Sequence, residues 1–154
     1  MSYPLQLHRL SQRLNNTLTR APLASSDEQI QADFAKYFCV LLSGYFERAL
    51  ETILTEYVRG KAAPQVETFV VKKLTNLVNM NCEKTVQLFG GFDSDWHDKL
   101  VKFLADEKKA SLDSIVALRN KIAHGENVGI TISQIKVHYE NVKIVIDFIL
   151  AMVN

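Results

Sequence analysis

From Ile30 to Tyr57 one apolar rhythm runs without interruption: Ile30, Phe34, Phe38, Leu41, Tyr45, Ala49, Ile53 and Tyr57 follow one another at steps of three or four residues. That is the period of an α-helix burying one face; a strand, with its period of two, cannot gather the same residues on one side. A helix of this length needs partners laid along it, so the segment is expected to be the central pillar of the fold, ending at Gly60. Tyr37 and Phe46 widen its apolar face. Among aliphatic neighbours they are expected in the core or a subunit interface rather than as a stacking platform for bases.

The remaining segments repeat the helical signal. Leu5, Leu7, Leu10, Leu14 and Leu18 make an amphipathic first helix with Arg9, Arg13 and Arg20 beside the stripe. Residues Ala21–Ser26 read as a connection, and Ser25 with Glu28 has the form of a capping box opening the pillar. After Gly60–Pro64 a third helix is expected through Val66, Phe69, Val70, Leu74, Leu77 and Val78. A short one follows the break at Asn79–Cys82 and closes at Gly90-Gly91, and another, capped by Asp93 or Ser94, carries Trp96, Leu100 and Phe103. Leu112, Ile115, Val116, Leu118 and Ile122 then lead to a stop at Gly125. Thr131 with Gln134 has capping-box spacing for a last helix whose apolar residues, Asp147 excepted, run nearly all round, so it is expected to be buried on more than one side, at the centre of the bundle or in a dimer seam. No strand alternation, repeat or low-complexity tract competes, and with three Pro and six Gly there is little to break helices. The expected fold is an all-α helical bundle with long central helices and several short connecting ones, one domain over residues 1–154.

A net charge of +1 does not suit a bulk polyanion binder, although a small basic cleft would escape that test. No apolar run is long enough to span a membrane, and Met1–Leu10 lacks the blocks of a signal peptide, so a cytoplasmic setting without membrane partners is expected. Cys39 and Cys82 are isolated, which leaves zinc without support and favours a reducing compartment. Glycine-rich phosphate loops, nucleophile elbows, HExxH and carboxylate clusters at metal spacing are all missing, so neither metal nor cofactor is expected.

What chemistry there is collects in Arg119-Asn-Lys-Ile-Ala-His124-Gly125. A histidine titrates near neutrality and can move the proton of a ribose hydroxyl or of a leaving oxygen, while a guanidinium can hold two phosphate oxygens and an Asn can orient either. Those types suit phosphoryl transfer without a metal. Asn120 and His124 share a helix face, but Arg119 and His124 diverge by about 140°, so a second copy across a two-fold axis would make better use of them. By spacing alone the pattern is common, and a helix-capping His with a solvent-facing Arg is the plainer account. Lys108, Lys109 and Lys121 could guide a phosphate backbone, but Asp106, Glu107 and Asp113 offset them; His8, His97 and His138 are expected to be structural.

The block Ser114–Gly125 resembles the Arg-x4-6-His signature of the HEPN superfamily, all-helical domains that include many metal-independent ribonucleases. Tyr57 and Pro64 after a long aromatic helix, Trp96 with Phe103, and Ile130-Thr-Ile before a helix bearing Tyr139 make residues 26–154 similar to the bacterial RiboL-PSP-HEPN subgroup. The resemblance implies a HEPN-type bundle that dimerises through the motif helices and cuts RNA to 2′,3′-cyclic phosphate and 5′-hydroxyl ends. Arg119 and His124 match its catalytic pair and Asn120 the polar residue after the Arg. Ser43 and Glu47 are candidates for the auxiliary hydroxyl or acid that some members take from the long second helix, with Lys121 a further auxiliary candidate. Many members act as toxins or phage-defence effectors, some restrained by an antitoxin or other inhibitory protein. Since inactive members exist, the alternative is a non-catalytic helical dimer that binds RNA, a nucleotide or a partner protein.

Overall fold

In a computed structural model describing residues 4–154, seven α-helices and no strand are found among the described residues: α1 (Leu5–Ala24), α2 (Glu28–Val58), α3 (Pro64–Leu74), α4 (Cys82–Gly90), α5 (Ser94–Phe103), α6 (Asp106–Ala123) and α7 (Ile132–Val153). The reading of the chain's start as no signal peptide includes residues 1–3, which lie outside the described residues. No described helix is long and apolar enough to cross a membrane.

The pillar is where the periodicity puts it. α2 packs against α1, α3, α6 and α7, and Phe38, Leu42, Phe46, Leu50, Ile53 and Leu54 are wholly enclosed or nearly so. Its start differs from expectation. The cap is Asp27, whose carboxylate accepts from the backbone N–H groups of Gln29 (2.8 Å) and Ile30 (3.1 Å), whereas Ser25 Oγ accepts from Asp27 N–H. A full negative charge one residue from the helix complements the free N–H groups better than a hydroxyl farther out. The connection is also shorter than expected, because α1 continues to Ala24. Leu7, Leu14, Leu18 and Ala21 bury the inner line of α1, and Leu5 falls on the far side, exposed.

α3 opens with Pro64 in its first turn and ends at Leu74, short of Val78. Thr75 Oγ1 and Asn76 Nδ2 both donate to the carbonyl of Lys72, an alternative to the next helical bonds. Of the apolar residues assigned to it, only Leu74 is buried; Val66 and Phe69 face outward. α4 and α5 pair across Phe89, Trp96 and Leu100, with Asp93 capping α5. At α7 the Thr131–Gln134 capping box forms as the spacing predicts. Its burial is less than expected: Ile135, Tyr139, Val142, Ile146 and Ile149 face α2 and α6, while Val137 and Ile144 lie exposed on the outer side with Asp147. Of the two places expected for α7, the centre of the bundle is taken by α2, which packs against more helices.

Polar groups that must enter the core are mostly paired. The buried Cys39 thiol is pushed up to about 11 by desolvation, so it stays protonated, 3.7 Å from the carbonyl oxygen of Ile115 on α6. Cys82 is likewise buried and free. Between α6 and α7, Ser111 Oγ sits 2.8 Å from Asn141 Nδ2 and 2.9 Å from His138 Nδ1, and is only 2% exposed. Asn141 donates to the hydroxyl oxygen; the hydroxyl proton can then turn to Nδ1, holding a neutral imidazole protonated at Nε2.

Desolvation lowers the His138 pKa from its ordinary 6.5, with a consequence for stability. The unfolded chain takes up this proton near pH 6.5 and the folded chain only at lower pH, so stability falls as pH drops through 6.5 toward the folded value. Urea denaturation between about pH 7.5 and about pH 5.5 should show this slope, and His138→Gln should remove its His138-dependent part.

Candidate functional site

The last turn of α6 is closed by a fully formed Schellman motif. With His124 as C-cap, Gly125 N–H donates to the Ile122 carbonyl (3.1 Å) and Glu126 N–H to the Lys121 carbonyl (2.9 Å). Gly125 takes φ +72°, the left-handed conformation this closure requires. The glycine that stops the helix in sequence therefore also sets where the His124 Cα lies. His124 is exposed, its backbone N–H donates to Asn120 O (3.1 Å), and its ring meets no hydrogen-bond partner among the described residues.

Arg119 is positioned quite differently. It is half-buried, turned toward the body of the bundle, and its Nη1 donates to Asn79 Oδ1 at 2.9 Å, with a weaker contact to Asn120 Oδ1 at 3.5 Å. No carboxylate pairs with it among the described residues. A guanidinium has five N–H donors, so most of its hydrogen-bonding capacity and all of its charge remain for an anion.

Asn79, which sequence reasoning treated only as part of a break, is the hub. Its backbone sits at φ +53°, a region that Asn tolerates better than most residues. Its side chain accepts from Arg119 while its own backbone N–H donates to Glu47 Oε1 at 2.8 Å. One residue thus joins α2 to α6. The rest of the break is pinned as well: Met80 is buried, and Cys82 N–H donates to Asp113 Oδ1 (3.0 Å), which ties the start of α4 to α6. An Asn just past a helix end was the only local sign of this role; its partners lie 32 and 40 residues away.

The structure therefore gathers Arg119, Asn120 and, at one remove through Asn79, Glu47. Ser43 lies one turn before Glu47 but is 2% exposed, its Oγ without a hydrogen-bond partner. Lys121 and Lys109 are exposed, and Lys108 stands over the Phe103 ring, 4.8 Å from its centroid. No hydrogen bond joins Arg119 to His124. Along the outer line of α6, Ala110, Ala117, Lys121 and His124 are all exposed, two of them small enough to let another helix approach. No group of three His, Cys, Asp or Glu is placed to hold a metal ion among the described residues. Such a site offers phosphate binding by Arg119 and proton transfer by His124 once something brings the two together.

The family model for RiboL-PSP-HEPN matches residues 6–153, so all of α1 but Leu5 falls inside the matched region together with the motif. No curated protein and no solved structure matches the chain.

Since a Cβ at Gly125 would meet nothing within 4 Å, the demand for glycine there is one of backbone conformation alone. Gly125→Ala should lower stability by about 1 kcal/mol in urea denaturation, and Gly125→Asn by less, because Asn enters the left-handed region more readily.

Proposed function

The chain belongs to the RiboL-PSP-HEPN family, and from that membership we propose that it is a metal-independent endoribonuclease acting as a homodimer on single-stranded RNA. The observation that carries the reading is the guanidinium of Arg119, held by Asn79 with no carboxylate partner among the described residues, on the helix whose next turn ends in an exposed His124. A charge kept free of carboxylates at a fixed position is what a phosphodiester requires.

In this mechanism Arg119 binds the non-bridging oxygens of the scissile phosphate and Asn120 helps to orient them. His124 takes the proton of the ribose 2′-hydroxyl as that oxygen attacks phosphorus. The bond from phosphorus to the 5′-oxygen breaks, and the departing oxygen receives a proton from the imidazolium of the second copy's His124. The products are a 2′,3′-cyclic phosphate and a 5′-hydroxyl. In this reading a second copy across a two-fold axis supplies the second His124, which the divergence of Arg119 and His124 within one chain calls for. A toxin or phage-defence setting, with a restraining protein partner, is the biological context proposed.

On labelled single-stranded RNA with chelator present, the wild type should yield cyclic phosphate ends. His124→Ala should lose ~10²- to 10⁴-fold in rate while keeping the fold, and Arg119→Ala should lose activity with weaker RNA binding. Equal rates for wild type and His124→Ala would sink the assignment.

Asn79 and Glu47 act here as positioning residues. Asn79→Gly keeps the backbone at ease at φ +53° but removes the acceptor for Arg119. It should lower kcat by up to about 100-fold, with the urea midpoint nearly unchanged. A change confined to stability would assign Asn79 a structural role only.

A further inference from the structure

The net charge of the molecule conceals an uneven distribution. α1 holds Arg9, Arg13 and Arg20 and not one Asp or Glu, although the chain has 17 acidic residues against 18 basic ones. This helix lies along α2, with a groove of ≈ 740 Å³ between them. Arg13 and Arg20 line it from α1 and Arg48 from α2, and no carboxylate residue is among its walls. Arg48 pairs with Glu51 (2.8 Å) and borders both this groove and the recess that Glu51 lines, so it is the most shared of the three. Among the described residues the Arg20 guanidinium spends only its Nε, on the carbonyl of Asn16, and the Arg13 guanidinium has no partner.

The same groove holds the aromatic ring that sequence reasoning assigned to a core or an interface. Phe46 is in the core, but Tyr37 is 56% exposed and borders the groove. Lys36 and Phe38 flank it along the sequence and Phe34 meets its ring edge-on with centroids 6.3 Å apart, and the groove it borders is also lined by three arginines, two of them from another helix. At Gly44, also in the wall, an added Cβ would meet nothing within 4 Å, so this glycine serves no close packing within the chain and leaves the groove open.

We propose that the α1–α2 groove is a second, non-catalytic site for single-stranded RNA, with phosphates on Arg13, Arg20 and Arg48 and a base stacked on Tyr37. The inference rests on the RNA reading of the motif but uses none of its residues. A groove of this size lies within the roughly 300–1,000 Å³ common for ligand sites. Arg13 and Arg20 stand two helical turns apart, about 10 Å along the axis, which favours phosphates in series over one isolated anion. An exposed aromatic beside cations is the pairing that sequence-tolerant strand binding uses, and an unpaired base is what it needs. A second copy of the chain is a poor occupant, since a symmetric contact here would bring arginines against arginines.

The test is equilibrium binding of fluorescein-labelled oligouridylate to the His124→Ala protein, followed by anisotropy across a salt series. Arg13→Gln with Arg20→Gln should weaken binding about tenfold at low salt and flatten the slope of log K against log salt by about 1.4, the amount for two lost phosphate contacts. Gly44→Leu, a better helix former whose Cβ meets nothing within 4 Å and whose side chain extends into the groove, should weaken binding as well. Lys102→Gln with Lys136→Gln removes the same charge elsewhere and is the reference. If both groove variants bind with the affinity and salt slope of that reference, the proposal is overturned, and an acidic peptide becomes the better occupant. Nothing is cut in this assay, so a protein that proves to have no nuclease activity would still give a clear answer about the groove.

Discussion

Burial of one face of α2 is the constraint on which the rest depends. Phe38, Leu42, Leu50, Ile53 and Leu54 are fully enclosed and Phe46 nearly so, each contributing on the order of 1.5–3 kcal/mol relative to exposure. A single net hydrogen bond contributes about 1 kcal/mol. The apolar seam therefore decides which helices meet, and it gives α1, α3, α6 and α7 a common wall. The polar contacts operate inside that decision. They choose among side-chain positions, not among folds.

The short segment between α3 and α4 shows how. Packing brings α2 and α6 alongside each other, yet nothing apolar would place a guanidinium between them. Asn79 does so because its backbone N–H and its side-chain oxygen serve different elements, one on Glu47 and the other on Arg119. The left-handed backbone at Asn79 is part of this arrangement. Asp113 adds a second tie from α6 to the same segment through Cys82 N–H. The Arg119 charge is thus located relative to the pillar of the fold and not merely to its own helix.

What was legible in the sequence is what depends on near neighbours. The period of α2, the stop at Gly125, the cap at Asp93 and the Thr131–Gln134 box all arise from residues within a turn or two, and all are found. At α2 the local reading named Ser25 with Glu28, and Asp27 caps the helix instead, while at α5 the cap is Asp93, one of the two residues named. What was not legible depends on distant partners. Nothing near Asn79 announces Glu47 or Arg119, nothing near Tyr37 announces the arginines of α1, and the outward turn of Val137 and Ile144 depends on which side of α7 meets α2. The motif itself stood out by residue type and by resemblance, while the difference in how its two principal side chains are held did not.

That difference has a thermodynamic side. Arg119 is ordered before any ligand arrives, so its long side chain has already surrendered much of its rotational freedom to the fold. The ring of His124, past a backbone fixed by the closure at Gly125, is exposed and has no hydrogen bond among the described residues to hold its two torsions. Whatever first immobilises that ring bears the entropic penalty for whatever binds next. If a second copy and an RNA strand both contact it, association and substrate capture become linked equilibria, each strengthening the other by the same factor. A chain built this way would sense the concentration of its substrate through its own state of assembly.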